Sequence, residues 1–447
     1  MAAWIERPRF TCSLGGAVAA VTALPKAIPV LHGPSGCAGN LAWTQAGGCG
    51  LQVGGYCGGL SMPGSNLQER EVVFGGTERL EEQLRNTLDV MDGDLYVVLS
   101  SCVADIIGDD VTSIVNSFAE KGAPVIQAET GGFKGNSYRG YELVVESLLT
   151  QYAKKEAEKE KHLVNLWGIP PAFDVFWRGN LQGLRDLLGK LGLEVNTFFT
   201  VEDNLERISR AGQAALNIVV SDTIGVEAAQ KAQELHGTPY LALPLPIGPT
   251  ASAEFLRQVA KKFRLAKKAE AVIADEQKRF YHILEPLADC FVDMELQRYA
   301  AVVGDGNYAA SLTRFLTQDL GWIVEAVAVT DVLKDEQKEI LQQRIVDAAG
   351  ELAPEVIFSG NTSTIRKEVR DVWKERTQKT GSYVHGPNPA FVVGSSFERE
   401  LAADLQAGHL SVSFPVANRA VLDRGYSGYA GGLHLVEDLL NVIVAGR

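Results

Sequence analysis

Residues 96–110, YVVLSSCVADIIGDD, carry an apolar, β-branched run to Cys102 and then give way to a turn with a helix behind it. That order describes a buried parallel strand whose carboxyl end presents a thiol to the crevice where open α/β sheets place their ligands. Two earlier cysteines have comparable surroundings. Cys37 closes IPVLHGPSGC, a second apolar run ending in a Gly/Pro turn, and Cys12 opens CSLGGAVAAV, whose small residues let backbone approach a bulky group closely. Three cysteines placed in this way form a plausible half-set of thiolate ligands. The alternative is three small buried residues at sheet ends, and spacing alone does not separate the two, because no CxxC pair announces a metal site.

Working outward, the same grammar recurs. Strand, helix and strand with glycines at the strand ends repeat through residues 1–160, 161–265 and 266–447. This predicts three Rossmann-like, doubly wound parallel-sheet domains, the third entered through a bridging helix. In the first, Leu80, Leu84 and Leu88 lie along one face of a helix from Thr77, a helix runs from Asp109 to Phe118, and PVIQAE is a short strand. The segment 46–64, AGGCGLQVGGYCGGLSMPG, has too many glycines for helix or strand and reads as loop. In the second domain LVNLWGI, ALNIVVSD and PYLALP are strands, with helices over Leu181–Leu191 and Ile224–His236. In the third, RYAAVVG, PEVIFSG, FVVGSS and HLSVSFP are strands, and GGLHLVEDLLNVIVAG is the closing helix.

Composition removes several classes of function. A chain of 447 residues is too long for one ordinary core, and 46% hydrophobic with 22% charged residues suits a globular protein. A net charge of -13 argues against nucleic acid and favours a docking protein with a basic face. No apolar stretch is long enough to span a membrane and the first ten residues lack a signal-peptide core, so a cytoplasmic location is expected. Five of the six cysteines fall in the first 102 residues, which reads as a site rather than a disulfide framework.

Other candidates are weaker. GDGNYA after the Ala300 strand is a fragment of a dinucleotide fingerprint and reads as a tight strand-to-helix turn. His32 is a ligand, a proton carrier or a hydrogen-bonded packing residue; His409 and His434 lack neighbouring cysteines and read as structural, as does Cys290. Cys49 and Cys57 are extra ligands, a redox pair or incidental thiols. Zinc is unattractive, since thiolates scattered over some ninety residues suit a larger cluster reached from several loops.

Assembled, these residues resemble the nitrogenase component 1 superfamily over nearly the whole chain. HGPSGC, SNLQEREVVFGG, SSCVADIIGDD and TCSLGGA each resemble motifs of that family. The resemblance implies that Cys12, Cys37 and Cys102 bind an electron-relaying iron-sulfur cluster, either P-type 8Fe-7S or 4Fe-4S, shared with a homologous α-type catalytic subunit. It places Gly36 and Gly132 beside that cluster. It further implies an α2β2 assembly and an ATP-binding iron protein that docks transiently, in keeping with the absence of a P-loop motif from the chain. Where the catalytic subunit has its metallocofactor cysteine this chain has Ser221, and Pro415 lies near where the histidine would be. The resemblance is therefore to the β-type, or K, subunit of a nitrogenase-like reductase, methylthio-alkane reductase being the relative named first. Gly132 occupies the place of a serine that ligates the oxidised cluster in molybdenum nitrogenase, which leaves that ligation without its residue. A cofactor-assembly scaffold, a tetrapyrrole reductase component and a cluster-free enzyme on the same fold are the other readings.

Overall fold

The structure, a computed structural model, describes residues 5–52, 62–154, 158–288, 290–380 and 387–446. Cys57 and the side chain of Cys290 lie outside them. Twelve described strands build three sheets. The first contains β1 (Ala27–His32), β2 (Leu95–Ser100) and β3 (Val125–Ala128). The second contains β4 (Glu160–Trp167), β5 (Glu194–Asn196), β6 (Ala214–Val219) and β7 (Tyr240–Ala242). The third contains β8 (Tyr299–Gly304), β9 (Ile323–Val329), β10 (Glu355–Phe358), β11 (Ala390–Gly394) and β12 (Gly408–Ser411). Every strand pair is parallel.

The sheet orders locate the crevices. The second sheet runs β5-β4-β6-β7 and the third β10-β9-β8-β11-β12, so each reverses direction beside its first strand. The first sheet, β1-β2-β3, follows the same rule once residues 63–65 are included. Leu31 N–H donates to the Pro63 carbonyl at 2.8 Å and Ser65 N–H to the Leu31 carbonyl at 3.0 Å, which lays this segment along the free edge of β1. The reversal therefore falls between β1 and β2, the strands that lead to Cys37 and Cys102, and ligands of open sheets bind at such points.

Side-chain alternation explains why the sheets are covered on both faces. In β2, Leu95, Val97 and Leu99 enter the main core while Tyr96 and Val98 enter a second cluster with Leu80 and Leu84. In β8, Ala300 and Val302 face the main core and Ala301 and Val303 the opposite one. The run β-branched on both faces thus becomes a doubly buried strand.

Helices of the first domain are α1 (Ser13–Ala23), α2 (Ser35–Gly48), α3 (Glu69–Phe74), α4 (Thr77–Val90), α5 (Cys102–Ile107), α6 (Val111–Ala119) and α7 (Ser137–Ser147). Helix α4 begins at Thr77 as expected, with Gly76 as its N-cap. Two expectations need correction here. The helix expected over Asp109–Phe118 is α6, started by the Asp110 carboxylate accepting from Ser113 N–H, but the turn expected after Cys102 is itself a short helix, α5, which Gly108 ends in a left-handed conformation (φ 76°). The glycine-rich segment is not all loop, since α2 continues through Gly47 and Gly48. A Cβ at Gly48 would lie 2.6 Å from the Phe414 ring, so that glycine serves close packing. The C-terminal helix Gly428–Ala445 packs back on the helix Gly248–Phe263 of the middle unit, tying the third unit to the second. Among the described residues no helix is long and apolar enough to cross a membrane.

Candidate functional site

Backbone-on-backbone packing sets the position of Cys12. Helices α1 and α7 cross so closely that a Cβ at Gly16 would lie 1.7 Å from the Ser137 carbonyl oxygen, and one at Gly140 would lie 1.8 Å from that of Ser13. Only glycine permits this approach. The crossing seats Cys12, the N-cap of α1, against the loop that precedes α7: Ser13 N–H donates to the Gly135 carbonyl at 3.0 Å and Ser137 N–H to that of Thr11 at 2.9 Å. The Ser13 hydroxyl donates to the Gly131 carbonyl at 2.8 Å.

The same loop meets Cys102. Ser101 caps α5, so Cys102 is the first helical residue, two positions beyond the end of β2. Gly132 N–H donates to the Cys102 sulfur at 3.0 Å. A Cβ built on Gly132 would stand 3.0 Å from the Cys102 sulfur and 3.5 Å from that of Cys12, so one point lies next to both. Cys37 completes the group from the first turn of α2. Burial pushes its thiol up, and Cys12 and Cys102 push in the same direction, which requires both to be near it. The structure thus brings together three cysteines that are ninety residues apart in the chain. Cys12 is exposed, and Cys37 and Cys102 are half-buried, so the group opens to the surface.

The donor set fits a cluster rather than a single ion. Among the described residues no three His, Cys, Asp or Glu side chains are grouped tightly enough to hold one metal ion. Bonds of about 2.3 Å to one zinc would hold sulfurs within roughly 4 Å of each other. Wider spacing suits a multi-iron core whose remaining corners face outward. Burial and the two neighbouring sulfurs make the Cys37 thiol resist ionisation, a resistance that a bound cationic core would offset. Gly132 offers a cradle that any side chain would fill. Gly36 differs, for a Cβ there meets nothing within 4 Å, as at Gly39 and Gly47 along the same helix. The α2 face beside Cys37 is therefore open to a second body.

The remaining candidates resolve into structural roles. His32 is fully buried with both ring nitrogens engaged: Nε2 lies 2.8 Å from the Asp109 carboxylate and Nδ1 2.9 Å from the Ser65 hydroxyl. Burial lowers its pKa and keeps it neutral, with Nε2–H donating to Asp109. The other Asp109 oxygen accepts from Gly76 N–H at 2.8 Å, so one buried network joins the turns before Cys37, after Cys102 and before α4. Sequence reasoning missed Asp109, although its place in GDD before a helix was visible. Cys49 is buried at the far end of α2, its thiol donating to the Gln45 carbonyl at 2.8 Å. It lies twelve positions along α2 from Cys37, about 18 Å, so it does not share the site. His409 Nε2–H donates to the Ser395 carbonyl at 2.9 Å, and His434 Nδ1 lies 3.1 Å from the Gly425 carbonyl. Asp305 accepts from Asn307 N–H and Tyr308 N–H and so makes GDGNYA a capped turn.

The two positions that the resemblance sets against a catalytic subunit's cofactor ligands, Ser221 and Pro415, have partners of their own. The fully buried Ser221 hydroxyl accepts from Thr223 N–H at 3.1 Å and Ile224 N–H at 2.8 Å. Pro415 follows Phe414, whose ring packs on Phe173 with centroids 5.0 Å apart. Phe176 and Tyr426 stack beside them at 4.3 Å. Neither position offers a soft ligand.

A family model described as nitrogenase component 1 type oxidoreductase matches residues 12–444. The chain is 27% identical over 367 residues to the nitrogenase iron-molybdenum cofactor biosynthesis protein NifE of a Nostoc species, covering 80% of this chain and 72% of that protein. It is 25% identical over 482 residues to the nitrogenase vanadium-iron protein beta chain of Trichormus variabilis, covering 99% and 95%. The solved structure titled nitrogenase Cp1 at pH 6.5 superposes with a TM-score of 0.81 at 18% identity, over 100% of this chain and 94% of that one.

Proposed function

Since the chain belongs to the nitrogenase component 1 type oxidoreductases, we propose that it is the β-type, electron-relaying subunit of a two-component, ATP-driven reductase acting on methylthio-alkanes. The observation that carries this is the convergence of Cys12, Cys37 and Cys102 at an open surface, half a ligand set with no further cysteine beside it among the described residues. When bound, an iron-sulfur cluster of the 8Fe-7S or 4Fe-4S kind supplies reversible electron storage. The three thiolates hold it and give it negative charge. Gly132 N–H, aimed at the Cys102 sulfur, withdraws charge from that ligand and raises the potential, as hydrogen bonds to cluster sulfurs do. The N-termini of α1 and α2 add their dipoles, which favour an anion at Cys12 and Cys37.

A homologous α-type subunit supplies the remaining ligands and carries the substrate-reducing cofactor, in an α2β2 assembly. The open face of α2, with Gly36, Gly39 and Trp43 exposed, suits its approach. A separate iron protein docks over the first domain. Helix α3 buries none of its residues and exposes Val73 at 73% and Phe74 at 83%, and Ile106 on adjoining α5 is 74% exposed. Apolar side chains so exposed suit a transient protein partner.

The test is anaerobic purification with the partner, followed by iron counting and EPR. Cys102→Ala should remove cluster iron and reductase activity together; full iron content in that variant counts against the assignment. A second reading is supported by the similarity to a cofactor biosynthesis protein, namely a scaffold on which a cofactor is built before transfer. Turnover separates them, because a scaffold with its partner and iron protein reduces no substrate catalytically.

A further inference from the structure

The peptide between Gly131 and Gly132 is held at both ends of its dipole. Its carbonyl accepts from the Ser13 hydroxyl at 2.8 Å and its N–H donates to the Cys102 sulfur at 3.0 Å. A third group presses on it: a Cβ at Gly131 would lie 2.3 Å from Asp105 Oδ2, so this carboxylate is packed against the backbone that contacts the cysteine. Asp105 follows Cys102 by three residues on α5, and side chains at that spacing are neighbours, about 5–6 Å between their Cβ atoms.

Asp105 Oδ2 is buried and meets no hydrogen-bond donor among the described residues. Its ion pair is with Lys134 Nζ at 4.0 Å, the outer limit of such contacts, and that ammonium sits closer to the Glu129 carboxylate. The side chains of Asp105, Lys134 and Glu129 are 15%, 27% and 65% exposed, so water screens these charges more strongly from the inside outward. The inner carboxylate thus keeps more of its field than the cation that balances it. Stability does not account for this arrangement, since a half-buried carboxylate with an oxygen left without a donor costs free energy. What it delivers is a negative potential at the Cys102 sulfur, opposed by Lys134 on the same short turn as the Gly132 N–H.

We propose that Asp105 and Lys134 are an opposed pair of charge-setting residues for the iron-sulfur cluster that Cys102 holds, Asp105 lowering its reduction potential and Lys134 offsetting part of that effect. The inference rests on the cluster reading and carries it beyond the three thiolates. Neither side chain is a ligand; both are positioning residues that act through the field at the Cys102 sulfur and at the Gly131–Gly132 peptide. A negative charge beside a redox centre favours its oxidised state and a positive charge its reduced state, and the effect is large where water is partly excluded. No bond forms or breaks, and only the potential at which the electron is accepted changes.

The experiment is an EPR-monitored redox titration of the anaerobically purified complex with its partner, for the wild type, Asp105→Asn, Lys134→Gln and the double variant, with iron counted in each. Asp105→Asn keeps the shape and should raise the midpoint, so that at the wild-type midpoint the ratio of reduced to oxidised cluster rises about tenfold, a shift of about 59 mV for one electron. Lys134→Gln, at a more exposed position, should move the ratio severalfold the other way, and added salt should shrink its shift more than that of Asp105→Asn. The double variant should fall between the singles. Iron content should match the wild type throughout, because neither residue is a ligand. Shifts of the same sign in the two singles, or no shift in Asp105→Asn at full iron content, overturn the proposal. Loss of iron in Asp105→Asn overturns it too, since the residue would then be structural. Wild-type complex without iron instead fails the cluster reading itself, which keeps the two failures apart.

Discussion

Gly132→Ala puts a single methyl group where the site has no room. The new Cβ would stand 3.0 Å from the Cys102 sulfur, 3.1 Å from the Cys12 Cβ and 3.5 Å from the Cys12 sulfur. The backbone at Gly132 is not in the left-handed region, so the perturbation is steric alone. Overpacking of a closed core costs about 1–3 kcal/mol. Cys12 is exposed and can swing outward, so the loss of fold stability should sit near the low end, about 1 kcal/mol. The sulfurs, however, must separate by several tenths of an ångström, while metal–ligand distances tolerate about 0.2 Å. The methyl also strains the Gly132 N–H contact with the Cys102 sulfur. Denaturant unfolding should therefore change little while iron per chain falls severalfold and the remaining EPR signal shifts. A variant with full iron and an unchanged spectrum would refute the reasoning, since it would mean that no cluster occupies the space between those sulfurs.

Other outcomes follow from the same geometry. Asp109→Asn should cost about 2–4 kcal/mol in urea unfolding, because it disturbs a buried network that joins His32 and Gly76 N–H; a loss below 0.5 kcal/mol would deny the network its role. Ser221→Cys should add no metal to the protein and should lower stability by about 1–2 kcal/mol, through two backbone N–H groups that lose a good acceptor; a stoichiometric gain of metal would show a latent cofactor site. Glu142, with its pKa raised to about 7 by burial, keeps its proton in the folded state at pH values where the unfolded chain has released it. Its contribution is thus fully present below the ordinary carboxylate range and is lost as pH rises through about 7, on the order of 3 kcal/mol in all. Glu142→Gln should accordingly flatten the fall of thermal stability between about pH 4.5 and 7, the window that shift defines; parallel profiles for the two proteins would contradict it.

Much of the fold could be read along the chain because its central strands are buried on both faces and so appear as unbroken apolar runs, YVVLS and AAVVG among them. Strand β9, IVEAVAV, escaped notice since Glu325 interrupts the run. That carboxylate is satisfied by Arg376 at 2.8 Å, a partner fifty residues away. The helix Thr362–Thr380 was hidden for a similar reason, with Ile365, Val369 and Trp373 as its buried apolar residues among many charges. At the site, residue types were visible but proximity was not. The meeting of Cys12 with Cys102 depends on glycines 16 and 140 letting two helices touch, and local sequence gives no sign that these pair. The resemblance of the cysteine motifs to a family supplied what periodicity could not. Gly36 and Gly132 illustrate the difference: both adjoin cysteines, yet only Gly132 is required by contacts within the chain.

Diffraction from anaerobic crystals of the complex with its partner, recorded on both sides of the iron absorption edge, addresses the central assignment most directly. Anomalous density should bridge the sulfurs of Cys12, Cys37 and Cys102 and continue into thiolates from the second chain. Iron found elsewhere, with these three sulfurs bare and no partner against them, would contradict the account.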